Sequence, residues 1–565
     1  MKQSAASSPG GPPVRSGPLL PPLWPPRRVL ISLASLAAAT VMVRAGWLEY
    51  LVGSIVDQAV RNIITLILCF SAVMSLLVWF LRESGHRPQL KRAVGWGAVA
   101  AVLAALAVFR IERVSGDLVP EIVFRWTPSK DRLLPKPAAA TSNDEPSAPA
   151  WAATPDDFPR FLGPAGDCSV TAAGIPADWE AMPPREVWRR PIGAGWSGFT
   201  VSAGHAVTLE QRGDEEAVTC YAVATGEPEW SVALRGRHET VLGGIGPRST
   251  PTIRDGIVYA TGATGWLHVI DGATGKVRWR KNVVDDLGID AAAHAQAVAW
   301  GRSGSPLVTE SLVIVPGGGP RSKDGKEAGA VSLVAYDRDT GDRRWVAGDE
   351  QISYVTPALV AVGGRDVVLS VNEASVAAYD PADGSTLWSF PWPGHSNSDA
   401  SCSQPHVLAD GRIFISKGYG IGAALFAPDA SEPGRVSYRQ IWSQPAMLKT
   451  KFTNVVIHDG HAYGLSDGIL ECVRVDDGKR TWKGGRYGQG QVLRVNGLLL
   501  VQAESGEVVV VDCSPERHRV RARLAALSGQ TWNNPCVTGN RLLVRNAEEA
   551  ACFEFPAAPA SVAGR

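Results

Sequence analysis

The feature that most limits what this chain can fold into is a hairpin pattern that recurs through its C-terminal part. Clear copies are CYAVATGEPEW (220–230), LHVIDGATGKVRW (267–279), LVAYDRDTGDRRW (333–345), VAAYDPADGSTLW (376–388) and CVRVDDGKRTW (472–482). A Gly stands four residues before the Trp in all five, at 226, 275, 341, 384 and 478. In three, an Asp stands eight before it: Asp271, Asp337 and Asp380. An alternating strand ends at the Asp, whose carboxylate bonds turn amides. A tight turn then needs Gly at positive φ, and the next strand presents Trp on a fixed face. Upstream lie companions such as STPTIRDGIVYATGATG (249–265), QPHVLADGRIFISKG (404–418) and NPCVTGNRLLV (534–544). These supply two more strands around an Asp-Gly or Gly-Asn turn.

Each unit therefore reads as a four-stranded antiparallel sheet. Successive Trp residues at 230, 279, 345, 388, 442 and 482 lie 40 to 66 residues apart, Trp442 closing a degenerate copy. A seventh, Trp-less copy ends in VVVVDCSPERHRV (508–520), and an eighth supplies three strands up to CFEFP (552–556). The missing fourth strand is REVWRRP (185–191), with Trp188 in the hairpin position. The expected fold class is all-β, an eight-bladed β-propeller whose last blade is closed by both chain ends, since such closure removes free sheet edges. Separate sandwiches or a β-helix would not produce a split last unit. The 19 Trp, 59 Gly and 40 Pro agree with a turn-rich β body.

Three apolar runs precede the repeats, at 29–43, 63–81 and 94–109, which suggests three transmembrane α-helices. Trp47, Trp79 and Trp96 stand near the run ends, as interfacial belts prefer. Lys2, Arg15, Arg27 and Arg28 of the tail and Arg82, Arg87, Lys91 and Arg92 of the second loop point to the cytoplasm. Three spans then place everything after Phe109 on the far side. The expected layout is a cytoplasmic tail (1–28), the three helices (29–110), a Pro/Ala-rich linker (111–157), the propeller (158–556) and a tail (557–565). With 56 Lys+Arg against 55 Asp+Glu, no basic excess speaks for nucleic acid.

The pattern Asp-x-x-Thr-Gly-x-x-x-Trp resembles the pyrroloquinoline quinone (PQQ) repeat shared by quinoprotein dehydrogenases and BamB-like propellers. FPRFLGPAGDCSV (158–170), followed by VWRRPIGAGWSGFTV, is similar to the opening of that family. The resemblance implies that Trp188, Trp230, Trp279, Trp345, Trp388, Trp442 and Trp482 pack between neighbouring blades. In the family's dehydrogenases PQQ lies between a Trp and, often, a disulfide of adjacent Cys, beside Ca²⁺ held by Glu, Asn and Asp. This chain has no adjacent Cys pair, and no position takes over the calcium carboxylates.

Polar residues just ahead of each blade's first strand face the central channel in propellers. Here they give a candidate ligand-binding mouth of His238, Arg248, Trp300, Arg302, Tyr354, Asn397, Asn454, Trp532 and Asn533. No catalytic residue and no metal ligand is assigned; His458 and His461 straddle a hairpin turn and read as solvated. No cofactor is expected on this reading. The expectation is a non-catalytic binding or scaffolding module in the bacterial inner membrane, its N-terminus cytoplasmic and its propeller in the periplasm with an envelope protein partner. The alternative is a membrane-linked PQQ- and Ca²⁺-dependent dehydrogenase oxidising an alcohol or sugar.

Overall fold

The computed structural model describes residues 23–47, 57–135, 150–172, 174–176, 178–323, 326–327, 329–429 and 436–556. Most of the expected N-terminal tail, the linker over 136–149 and the tail over 557–565 lie outside the described residues. The chain divides into two compact bodies, 1–53 with 60–110, and 54–59 with 111–565.

The first body holds helices α1 (Arg27–Arg44), α2 (Gln58–Arg82) and α3 (Pro88–Val108). Two of them, α2 and α3, are long and apolar enough to cross a membrane. The expectation of three spans is therefore corrected: among the described residues two helices are candidates by length and composition, and α1 is not. Helix α1 has 18 residues, opens on Arg27-Arg28 and ends on Arg44. Its middle is rich in Ala, Ser and Thr, small side chains that offer lipid little apolar surface.

The second body is the eight-bladed propeller. Blades 1 to 7 span residues 200–235, 252–282, 307–347, 358–391, 406–444, 455–486 and 491–524, each with four antiparallel strands in sequence order. Blade 7 carries an extra parallel strand, Ser169–Val170. Blade 8 is built from Cys536–Thr538, Arg541–Arg545 and Glu549–Glu554, and Arg185–Pro191 closes it from the other end of the domain. Trp188 faces Cys552 there as Trp230 faces Cys220 in blade 1.

Most of the core lies between blades. Buried apolar side chains form separate clusters, each shared by successive sheets, such as Val207, Leu209, Val218 and Val258 between blades 1 and 2. The repeat motif closes these joints. The indole N–H of Trp188 donates to the Val223 carbonyl of the next blade, and those of Trp230, Trp279, Trp345, Trp442 and Trp482 donate likewise, at 2.7–3.2 Å. Trp388 instead packs on Phe390 and Tyr438. Each repeat Gly lies against the Trp ring of the preceding blade; a Cβ on Gly275 would come within 2.8 Å of Trp230. Gly is thus required twice over, for its positive φ of 70° and for that close approach.

Both ends of the channel are covered. Loops that join the second strand to the third, and one blade to the next, share the upper face. Two segments precede the blades in sequence, and each takes one face. Residues 158–172 run across the lower face, with Phe158 bridging Val201, Pro159 accepting from Ile253 and Cys168 accepting from Arg494. Residues 111–133 lie on the upper face. The expected linker is thus built into the propeller over 111–135: a hairpin of Phe109–Val114 with Pro120–Phe124 and a 3₁₀ turn at Lys130–Leu133.

Candidate functional site

The innermost strands are stitched in a ring by short polar side chains. The Gly198 amide donates to Thr250, Thr250 to Ser305, and Ser305 to Thr356, at 2.9–3.1 Å. Gln404 pairs with the Thr356 main chain once its amide is turned, and the Gln404 amide donates to Asn454. Asn533 donates to the carbonyls of Gly195 and Ser197. Asn454 and Asn533 therefore serve the ring, because a blade's first strand needs a side-chain acceptor or donor where no neighbouring strand pairs with it.

Above the ring the upper mouth holds two clusters. In one, Trp300 and Tyr354 lie 5.6 Å apart and the Tyr354 hydroxyl accepts from the Trp300 amide. Both rings belong to a small apolar cluster with Val298, Ile352 and Ala400. His238 packs on Gly301, and Arg248 donates to the Gly243 and Gly246 carbonyls. In the other cluster Trp532 packs against Trp196 and Phe452, each at 4.7 Å. The Gly243 carbonyl links the two, since the Trp196 indole also donates to it.

Arg302 and Asn397 stand apart from this site. Arg302 is 2% exposed and donates to the Pro316 and Gly317 carbonyls of its own blade, so it braces blade 3 instead of facing the channel. Asn397 lies exposed on the loop after blade 4.

The electrostatics follow from burial. It lowers the His238 pKa to about 3, with Arg248 adding to the effect, so the imidazole is neutral at pH 7. Burial raises the Glu216 carboxyl to about 8 against the Ala263 amide and Arg248, so it is mostly protonated. Arg248 is lowered to about 10 and keeps its charge. Among the described residues no carboxylate forms an ion pair with it, and a guanidinium held only by carbonyls favours an anionic ligand. Gln489 is fully buried with both amide atoms unpartnered, and Gln491 and Asn533 each keep an unpartnered oxygen.

A segment absent from the sequence-based site covers this mouth. Its Gly116 amide donates to Glu504, whose same oxygen accepts from the Trp532 indole. Gln530 donates to the Val114 carbonyl. Arg113 and Lys130 pair with Glu548, and Asp131, 2% exposed, pairs with Arg237 at 2.7 Å. Trp196, Phe452, Glu216 and Glu504 were missing from the sequence reading, although Trp196 sits in the opening motif that carries the resemblance.

PQQ with Ca²⁺ does not fit the mouth as built. Trp532 packs on Trp196 and Phe452, and Gly116 and Glu504 close over it, so no flat slot is framed there. The eight Cys are all free thiols, so none forms the family's disulfide. Among the described residues, the group of three potential ligands that could hold a metal is His205, Cys220 and Glu229, on the lower edge of blade 1 and away from this site.

Comparisons with known proteins agree on the fold and diverge on function. A family model described as outer membrane protein assembly factor BamB matches residues 214–484. The assembly factor BamB of Yersinia pestis is 22% identical over 454 residues, covering 74% of this chain and 98% of that protein. The dehydrogenase subunit of a quinone alcohol dehydrogenase from Acetobacter aceti is 27% identical over 188 residues, 31% of this chain. That match spans 23% of the subunit's length. Among solved structures, a europium-containing methanol dehydrogenase matches with a TM-score of 0.52 at 11% identity, covering 71% of this chain and 98% of that one.

Proposed function

We propose that the chain, which is similar to BamB-like propellers over residues 214–484, acts as a binding or scaffolding module and not as a dehydrogenase. The observation that carries this reading is the mouth itself. Aromatic rings and a covering segment fill the place where a quinone would need a slot, and Arg248 offers a cation without a general base beside it. His238 and Glu216, two titratable groups that interact with Arg248, are neutral at pH 7, one deprotonated and the other protonated. Such a site recognises an anionic group and does no proton transfer at its centre.

The proposed setting is the periplasmic side of the inner membrane. Arg82 ends α2, Arg87 stands between the helices, and Lys91 and Arg92 lie near the start of α3; these charges favour the cytoplasm for that junction, which puts the chain after Phe109 on the other side. A single Cys introduced at a propeller surface position should react with an impermeant thiol reagent in intact spheroplasts; protection there would overturn the orientation. The proposed partner is an envelope protein, by analogy with the assembly factor.

The functional test is PQQ with Ca²⁺ added to the detergent-solubilised full chain. We expect no stoichiometric quinone absorbance and no dye reduction with an alcohol or sugar panel. Bound quinone with turnover would establish the dehydrogenase reading. Cross-linking in membranes should instead capture an envelope protein on the propeller.

A further inference from the structure

Blade 1 carries a second site, independent of what the upper mouth binds. We propose that His205, Cys220 and Glu229 bind one late first-row divalent metal ion, Zn²⁺ foremost, with water completing a tetrahedral shell. His205 opens the second strand, Cys220 lies on the third and Glu229 on the fourth, so three adjacent strands contribute one donor each. Glu229 stands in the bulge where Cys220 pairs with Trp230 and Tyr221 with Pro228. A bulge re-aims a side chain, and here it turns the carboxylate toward the other two.

The distances suit a small tetrahedral ion. The three donor atoms lie within 4.8 Å of one another. His205 Nδ1 is 2.6 Å from Glu229 Oε2, and Cys220 Sγ is 3.2 Å from the same oxygen. Zinc bonds of about 2.0–2.3 Å at tetrahedral angles set donors roughly 3.4–3.6 Å apart. Replacing the shared protons with an ion therefore opens these two edges by less than about 1 Å. The mixed N, S, O donor set suits Zn²⁺ and its neighbours and disfavours Ca²⁺ or Mg²⁺.

The surroundings hold the site and leave it a door. Cys220 is fully buried, while the side chains of His205 and Glu229 are 30% and 33% exposed, so water reaches the fourth position. Trp151 stacks on the imidazole at 4.5 Å and 6° and fixes its plane. That indole is anchored in turn against Gly272, where a Cβ would come within 2.7 Å of it.

Blade 6 supplies an internal control. His461 and Cys472 occupy the corresponding positions, with Cys472 opposite Trp482. The bulge residue there is Thr481, which bonds the Cys472 carbonyl, so the third ligand is missing.

The test is titration of the chelator-treated full chain with Co²⁺ in detergent. One equivalent should give a thiolate-to-cobalt charge-transfer band and tetrahedral visible bands, both displaced by Zn²⁺. Cys220→Ala should abolish them, Glu229→Gln should weaken binding by about tenfold or more, and Cys472→Ala should leave them unchanged. Thr481→Glu should add a second equivalent in blade 6. Absence of the band in the native chain, or its survival in Cys220→Ala, overturns the proposal. If Cys220→Ala fails to fold, the half-exposed Glu229→Gln decides, and unchanged affinity overturns the site.

Discussion

The two ends of the propeller channel are covered by different physics. Below, residues 158–172 pair main chain to main chain with the inner strands of blades 1, 2 and 7, and bury Phe158, Leu162 and Cys168 at 3% exposure or less. Above, residues 111–133 are held largely by side chains, above all charged pairs to Glu548, Arg237 and Asp214. Backbone pairing with apolar burial does not depend on charge screening, while the exposed pairs of Lys130 and Arg132 are weakened by it. The lower segment is thus part of the fold, and the upper one is a cover that can loosen while the blades stay intact.

The sharpest way to break this contrast is Phe158→Ala. If the lower segment belongs to the core, the loss should be about 3–5 kcal/mol of global stability, read as a large fall in the unfolding midpoint of the full chain. A loss below about 1 kcal/mol would make the lower segment an appendage like the upper one.

Next comes Asp131→Asn, which removes the buried partner of Arg237. We expect about 3 kcal/mol, but confined to the cover. Hydrogen exchange should accelerate over 111–133 and stay unchanged in the blades. Acceleration spread through the blades would show that the cover is part of the cooperative core.

Much of this architecture was legible in the sequence, and the boundary of legibility is physical. The Gly-to-Trp spacing encodes a local turn and a joint to the next blade, so it repeats and can be read; the split closure through Trp188 followed from it. The mouth was half legible. Residues ahead of each first strand were expected to face the channel, yet Arg302 turned to the Pro316 and Gly317 carbonyls, because those free acceptors lie within its own blade. Trp196 and Phe452 sit in loops without a period. The upper cover was read as a linker because its partners Arg237 and Glu548 lie about 100 and 400 residues away in sequence. The donors at 205, 220 and 229 have no motif spacing, since strand pairing and a bulge bring them together.

Titration should probe the upper end as well. Glu216 of the upper mouth has a folded pKa raised to about 8 from 4.5, so the native state holds a proton that the unfolded chain releases. Its contribution is full below pH 4.5 and is lost as pH rises towards 8, on the order of 3 kcal/mol of it by pH 7. His238 works in the opposite direction, its neutral form gaining stability as pH rises from about 3 to 6.5. Glu216→Gln should therefore flatten the decline between pH 6.5 and 8, where His238 is silent. An unchanged slope in that window would mean that Glu216 does not titrate as a buried acid.

The smallest effect is expected from Glu548→Gln, and it tests the cover alone. Burial works against the charge of Glu548, but its bond to Lys130 and the charges of Arg113 and Lys130 outweigh that and hold the carboxyl below its usual range. A depressed carboxylate stabilises above its unfolded pKa of 4.5 and loses that contribution as pH falls through the lower folded value. Lys130 is 69% exposed, so the pairs together are worth only about 1 kcal/mol. The substitution should raise exchange over 111–133 at pH 7 and low salt, and should make little difference at 1 M salt or at a pH below the depressed folded value, where screening or protonation has already removed the same interaction. If the native cover proves equally protected at low and high salt, charge pairing does not hold it, and the distinction between the two ends of the channel fails at its weakest link.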